Sequence, residues 1–143
     1  MKQEERLIIF CDGGAYNNPG PAAIGVIFYN HEGKKLLQVS KFIGRATNNQ
    51  AEYQAVILAL KLAQIKFNHR EVQFFLDSKL IVEQLNGNYK IKNHGLKPLY
   101  FLAKQLQLNF PLVLYNYIPR EKNRLADKLV GQEIKNYLRR NKR

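Results

Sequence analysis

The chain is poor in acidic residues, has one cysteine and contains no tryptophan. Its 11 aspartate and glutamate residues face 23 lysine and arginine residues, so the formal net charge is +12. Such an excess of positive charge favours a polyanionic partner, above all nucleic acid. The alternative is that the charge mainly keeps the chain in solution.

The single cysteine, Cys11, excludes a framework of internal disulfides and fits a reducing compartment. It stands in the apolar run LIIFC, where a buried structural thiol is more usual than a nucleophile. No apolar run approaches the ~20 residues of a membrane span. The charged start, MKQEERLIIF, is unlike a secretory signal. We therefore expect a cytoplasmic protein with no membrane partner.

Hydrophobic periodicity predicts five strands and four helices in one domain spanning residues 1–143. Strands are predicted at 7–12, 23–30, 36–44, 72–77 and 111–119, and helices at 49–66, 78–86, 99–108 and 123–140. Three consecutive strands favour an antiparallel meander, and strands separated by helices favour parallel additions to the same sheet. The predicted fold is therefore α/β, a mixed five-stranded sheet flanked by helices. A basic tail follows at about 135–143, and the segment DGGAYNNPGPAA is predicted as an irregular loop.

Four acidic residues fall where predicted strands end or helices begin. Asp12 and Asp77 end strands, whereas Glu52 and Asp127 lie in the first turns of helices. These ends can share one edge of a mixed sheet. Carboxylates gathered there would repel one another without a cation, and oxygen ligands suit Mg²⁺ or Mn²⁺. Each residue alone also has a local explanation, as a turn residue, a helix cap or a charge that favours the helix dipole.

Four stretches of the chain resemble the ribonuclease HI family, and the resemblance runs from about Leu7 to Leu138. They are DGGAYNNPGPAAIG (12–25), TNNQAEYQA (47–55), LDSKLIV (76–82) and REKNRLADKL (120–129). A lone Asp-Gly or Asp-Ser would be weak evidence. Four motifs in the family's order, each on the expected element, are specific.

The resemblance implies an endonuclease that hydrolyses the RNA strand of an RNA–DNA hybrid and leaves 5′-phosphate and 3′-hydroxyl ends. It implies that Asp12, Glu52, Asp77 and Asp127 together hold two Mg²⁺ ions when substrate is bound, with Mn²⁺ as the alternative. All four carboxylates should then be ionised near neutral pH. The expected partner is the hybrid, and the expected state is a monomer.

The same resemblance implies substrate contacts around the carboxylates. Glycines would let the backbone come close to the nucleic acid, and side-chain amides would donate and accept hydrogen bonds whatever the base. The candidates are Gly13, Gly14, Asn18, Asn48, Asn49, Ser78, Lys79 and Arg120. Within TNNQAEYQA, we predict that Asn49 caps the helix, that Asn48 touches the hybrid and that Glu52 points at the ions.

Two departures from the family place the chain in a handle-less subgroup. Residues 86–98 are too short for the Trp-containing basic protrusion that many bacterial members carry. They still offer a basic strip, for which a solvated loop is the alternative interpretation. The strip is Lys90, Lys92, His94 and Lys97, with Tyr89 beside it. In addition, the loop before Asp127 lacks the histidine that many members have there. Arg120 or Glu121 could take its place, but arginine is a poor proton shuttle because it hardly deprotonates.

Two other functions stay open at this point. One is a non-catalytic module that binds hybrids or duplexes on the same fold, and the other is a different nuclease of that broad fold, such as a resolvase or integrase core. Binding alone would gain nothing from clustered negative charge beside a polyanion, which argues against the first. The strings TNNQAEY and DGGA…NPGP argue against the second.

Overall fold

The computed structural model describes residues 6–67 and 70–141. The strands are β1 (Leu7–Ala15), β2 (Gly20–Tyr29), β3 (Lys35–Ala46), β4 (Val72–Leu76) and β5 (Val113–Tyr117). The helices are α1 (Asn48–Lys66), α2 (Lys79–Leu85), α3 (Lys97–Gln107) and α4 (Arg124–Arg140), with a short 3-10 turn at Arg120–Lys122. One five-stranded sheet has the order β3-β2-β1-β4-β5. β1, β2 and β3 pair antiparallel and β4 and β5 add parallel, so the predicted fold is confirmed.

The glycine-rich segment after Asp12 is mostly strand, so the prediction of an irregular loop is wrong. β1 and β2 stay paired as far as Ala15 opposite Ala22, and only residues 16–19 form the turn. The local sequence pattern does not reveal this strand, because it is stabilised by backbone hydrogen bonds to a second strand.

Helices cover both faces of the sheet. A Cβ added to Gly13 would lie 2.3 Å from the backbone of Ala51 in α1, and one added to Gly25 would lie 2.8 Å from the backbone oxygen of Ala126 in α4. Gly13 pairs with Ile24, the neighbour of Gly25. Because successive strand residues point to opposite faces, α1 and α4 pack on opposite sides. Both glycines therefore serve close helix–sheet contact.

The cap of α1 differs from the prediction. Gln50 N donates to Thr47 Oγ1 at 3.1 Å, and Thr47 N donates to Gln50 Oε1 at 2.9 Å. These two bonds form a complete capping box. The prediction that Asn49 caps the helix is therefore wrong, and Glu52 takes no part in capping.

Two other features of the helices agree with the sequence. Ser78 Oγ accepts from Ile81 N at 3.3 Å, so Ser78 caps α2. Residues 86–96 form turns and extended chain without a helix, so the chain has no protrusion between α2 and α3. Within residues 6–67 and 70–141, every helix is too short or too polar to span a membrane.

Candidate functional site

Three carboxylates meet at the carboxyl edge of the sheet. In the parallel pair of β1 and β4, Phe10 lies opposite Phe75, so two residues further on Asp12 lies beside Asp77. Glu52 reaches the same place from the second turn of α1. One oxygen from each of the three carboxylates lies within 4.8 Å of the other two. Asp12 and Glu52 are only 6% and 8% exposed, so most of this negative charge is buried.

The position of Glu52 depends on the glycine that follows Asp12. Gly13 N donates to Glu52 Oε1 at 3.2 Å. That approach requires the α1 backbone to cross directly over Gly13, where a Cβ would lie 2.6 Å from Glu52 N. The glycine therefore brings strand and helix together and fixes the carboxylate through its N–H.

The fourth predicted carboxylate, Asp127, lies at the mouth of the same site rather than within the group of three. It belongs to the first turn of α4, is partly exposed, and accepts from Arg120 Nη2 at 3.3 Å. All four carboxylates line one cleft of about 580 Å³, which we call the acidic cleft.

Burial and mutual repulsion raise the pKa values of the three clustered carboxyl groups. Burial is the largest cause for Asp12, followed by Asp77 and Asp127, and together they raise its pKa to about 7. Burial, then the charges of Asp12 and Asp77, raises the pKa of Glu52 well above its usual value. Burial also raises the pKa of Asp77. These pKa values are those of the metal-free protein, in which no cation offsets the repulsion. The expectation that the carboxylates are ionised near neutral pH concerns the metal-bound site and stays a prediction.

A buried asparagine ties the first turn of α4 to β1 beside this group. The sequence pattern favours Asn123 only as a helix cap, but its side chain makes no capping hydrogen bond. Its Nδ2 instead donates to the carbonyl oxygen of Cys11 at 2.9 Å. Its Oδ1 is buried and has no hydrogen-bond partner within the described part of the chain. Asn123 thus fixes the backbone next to Asp12 relative to the helix that carries Asp127.

Comparison with known proteins agrees with this geometry. A family model described as "Reverse transcriptase-like" matches residues 10–132. LC11-RNase H1, isolated from compost by a metagenomic approach and solved in complex with an RNA/DNA hybrid, is 42% identical. It superposes with a TM-score of 0.88, covering 92% of this chain and 99% of that one. This chain belongs to the type 1 ribonuclease H family.

Two further relatives define how far the similarity extends. RNase H1 from the halophilic archaeon Halobacterium salinarum NRC-1 is 34% identical, with a TM-score of 0.88 over 92% of this chain and 98% of that one. The "Bifunctional protein Rv2228c" of Mycobacterium tuberculosis is 41% identical over 130 residues, which is 90% of this chain. This chain spans only 35% of the length of that mycobacterial protein.

The eight predicted substrate residues fall into three places. Gly13, Gly14, Asn48, Ser78 and Arg120 line the acidic cleft. Asn18 and Asn49 line a neighbouring cleft of about 250 Å³. Lys79 is exposed at the start of α2 and lines neither cleft.

Two of the side-chain amides already accept hydrogen bonds from the protein backbone. Asn48 Oδ1 accepts from Ala15 N at 2.7 Å, and Asn18 Oδ1 accepts from Asn48 N at 2.9 Å. Both oxygens therefore hold the β1–β2 turn against the start of α1. Each oxygen uses one of its two lone pairs in this way, so the expectation that these amides contact the hybrid stays a prediction.

One wall of the acidic cleft was not predicted. Val130, Gly131 and Ile134 of α4 line it together with Asp127. Their spacing of three, four and seven residues from Asp127 puts them on one helix face. That spacing is a signal in the sequence, but only once Asp127 is assigned to the site.

Proposed function

We propose that this ribonuclease H chain is an endoribonuclease that hydrolyses the RNA strand of RNA–DNA hybrids and leaves 5′-phosphate and 3′-hydroxyl ends. The observation that carries the proposal is the group of three closely spaced carboxylates in a chain of net charge +12. A site for a polyanion gains from buried negative charge only if cations bind between the two. The similar LC11-RNase H1 was solved in complex with an RNA/DNA hybrid, which supports this substrate.

The donor set fits divalent cations that prefer oxygen. Asp12, Glu52 and Asp77 would hold the metal, and Asp127 would contribute at the mouth of the acidic cleft. We propose two Mg²⁺ ions with substrate, and Mn²⁺ as a substitute. When bound, such ions acidify water and offset the negative charge that develops during phosphodiester hydrolysis.

Other residues in and beside the cleft position the groups that act. The N–H of Gly13 orients Glu52, and Asn123 fixes the backbone before Asp12. Arg120 stays protonated because the adjacent Asp127 carboxylate raises its pKa further. It can therefore attract a phosphate oxygen but cannot take up a proton from water. The Nδ2 donor of Asn48, a residue that lines the acidic cleft, suits an acceptor such as a ribose 2′-hydroxyl oxygen or a base edge.

The test compares end-labelled RNA–DNA, RNA–RNA and DNA–DNA duplexes of one sequence, each incubated with Mg²⁺ or Mn²⁺ and sized on a gel. We expect cleavage within the RNA strand of the hybrid, with fragments whose 5′ ends release phosphate on phosphatase treatment. Binding of the hybrid without turnover in either metal would contradict the proposal and favour a non-catalytic binding module. Equal cleavage of the DNA duplex would favour a different nuclease of this fold.

A further inference from the structure

A second cleft lies at the other end of α2, between the α2–α3 connector and α3. Its volume is about 230 Å³, and we call it the aromatic cleft. The residues that matter to its chemistry are Tyr89, Lys90, Lys97, Tyr100 and Phe101. It shares no lining residue with the acidic cleft.

The aromatic cleft has two aromatic side chains that are exposed to solvent. Tyr89 is 45% exposed and Phe101 is 65% exposed, although burying such rings is favourable. The ring of Tyr100 meets that of Phe101 edge to face at 5.3 Å. This contact supports the Phe101 ring from one side and leaves much of its surface in water.

The walls of the aromatic cleft are held by hydrogen bonds between elements. Lys104 Nζ, on α3, donates to the carbonyl oxygen of Leu85 at the end of α2 at 3.1 Å. Asn86 Nδ2 donates to the carbonyl oxygen of Tyr115 in β5 at 3.2 Å. Gly87, with φ of 81°, then turns the chain away from α2 in a conformation that favours glycine. These hydrogen bonds therefore fix the elements around the rings relative to one another.

The charged residues that line this cleft are lysines. The chain has 11 acidic residues, but none lies between Gln84 and Arg120. Lys90 and Lys97 line the cleft, whereas the nearest acidic residue in sequence, Glu83, accepts from Asn88 Nδ2 at 2.7 Å. Exposed rings beside lysines, without a carboxylate in the lining, match the stacking platforms that bind unpaired nucleic acid.

We infer that the aromatic cleft binds a single-stranded stretch of nucleic acid next to the hybrid, with bases on Tyr89 and Phe101 and phosphates on Lys90 and Lys97. Unpaired bases are the favoured occupant because bases within a duplex are already stacked on one another. The seven residues of α2, about 10 Å of helix, separate this cleft from Asp77. A strand that leaves the acidic cleft can therefore reach it within a few nucleotides. The inference about flanking strands rests on the proposed hybrid substrate.

A binding measurement without metal tests the cleft independently of catalysis. Fluorescence anisotropy would follow a labelled oligothymidylate titrated with wild-type protein and with a Tyr89→Ser/Phe101→Ser double variant in EDTA. We expect the double variant to raise Kd about tenfold or more, because each stacked base contributes about 1–3 kcal/mol.

The Lys90→Gln/Lys97→Gln variant tests the phosphate contacts. It should reduce the slope of the logarithm of the association constant against the logarithm of the salt concentration by about 1.4. Leu108→Ser, at a side chain that is 83% exposed outside the cleft, and Lys34→Gln in the β2–β3 turn are the matched controls and should bind as wild type.

A cleavage measurement then tests whether the single strand bound in the aromatic cleft is continuous with the hybrid. Wild-type kcat/KM should be at least about fivefold higher for a hybrid with a single-stranded extension than for the blunt hybrid, and the double variant should bring this ratio to about one. An oligothymidylate Kd that is the same for the double variant and the controls would overturn the inference. Equal dependence of blunt-duplex binding on the two rings would also overturn it, in favour of duplex backbone as the occupant. Failure of the wild type to cut any hybrid would instead count against the proposed function, whatever the anisotropy result.

Discussion

The acidic cleft and the aromatic cleft lie at opposite ends of α2 and are built in opposite ways. The acidic cleft gathers buried carboxylates at strand ends, where backbone N–H and amide groups hold them in place. The aromatic cleft presents exposed rings and lysines on helices and a connector. A strongly positive chain thus places four acidic side chains at the proposed metal site and none in the lining of the proposed single-strand site.

The two clefts should also contribute differently, the acidic cleft to catalysis and the aromatic cleft to binding affinity. Burial first, and then repulsion between the carboxylates, raises the pKa values of Asp12 and Glu52, so these groups act against stability in the metal-free protein. The exposed rings of the aromatic cleft contribute little to the core. Substitutions in the first cleft should therefore change rate and stability, whereas those in the second should change binding alone.

The largest expected effect is the loss of turnover in Asp12→Asn. Removing this charge weakens metal binding, and such ions contribute several kcal/mol to the stabilisation of the transition state. We expect hybrid cleavage to fall by about 10³-fold or more in Mg²⁺. Single-turnover assays at saturating enzyme would measure it, with hybrid binding by the variant as the control. A rate within tenfold of wild type would remove Asp12 from the metal site.

Gly13→Ala should damage the acidic cleft without changing any charge. The added Cβ would lie 2.3 Å from the backbone of Ala51, so α1 and Glu52 must move away from β1. We expect a loss of about 1–3 kcal/mol in the free energy of unfolding, measured by urea denaturation, together with a strong loss of cleavage. Gly131→Ala is the matched control for stability, because a Cβ there meets nothing within 4 Å and alanine favours a helix by up to about 1 kcal/mol. Equal stability of the two variants would contradict the close crossing.

In EDTA, Asp12→Asn should be more stable than the wild type at pH 8. The folded protein raises the pKa of Asp12 from 3.8 to about 7, so between these values the folded state binds more protons than the unfolded state. Stability from this group is therefore present at low pH and lost as pH rises towards 7 and above. We expect a gain of about 1–3 kcal/mol for the variant at pH 8 and little difference near pH 4, by thermal melts across pH. A variant that is less stable at pH 8 would show that repulsion does not dominate there.

The smallest effect is expected from the basic tail. Arg139 and Arg140 end α4, whereas Lys142 and Arg143 lie outside the described residues. Deleting residues 139–143 should weaken hybrid binding several-fold at low salt and make it less salt-dependent, because fewer counterions are released. Binding curves across a salt series would measure this. An unchanged salt slope would exclude the tail from substrate binding.

Much of the fold followed from local patterns, and the errors have non-local causes. Runs such as LIIFC and VQFFL indicated strands because their apolar residues fit a buried sheet. The local pattern of the paired glycines predicts a loop, because their strand partner lies beyond a turn. The pattern predicts the cap at Asn49 rather than Thr47 because adjacent polar residues offer equal local chemistry, whereas the folded chain uses Thr47.

The sequence predicts the carboxylates of the site but not the residues that hold them in place. Asp12, Glu52 and Asp77 were expected together because strand ends and helix starts share an edge of the sheet. The tether from Asn123 to Cys11 joins residues 112 positions apart and leaves no pattern in the sequence. Raised pKa values were likewise missed, because burial is a property of the folded chain.

The most direct test of the account is Mn²⁺ binding to the metal-free protein, measured by calorimetry at pH 7 in two buffers of different ionisation enthalpy. We expect the wild type to bind Mn²⁺ with release of protons, because the pKa of Asp12 is about 7 before metal binds. Asp12→Asn should bind at least about tenfold more weakly, whereas Glu32→Gln, at an exposed residue of the β2–β3 turn, should match the wild type. Equal Mn²⁺ affinity in Asp12→Asn and wild type would contradict the central claim that the buried carboxylates are the metal site.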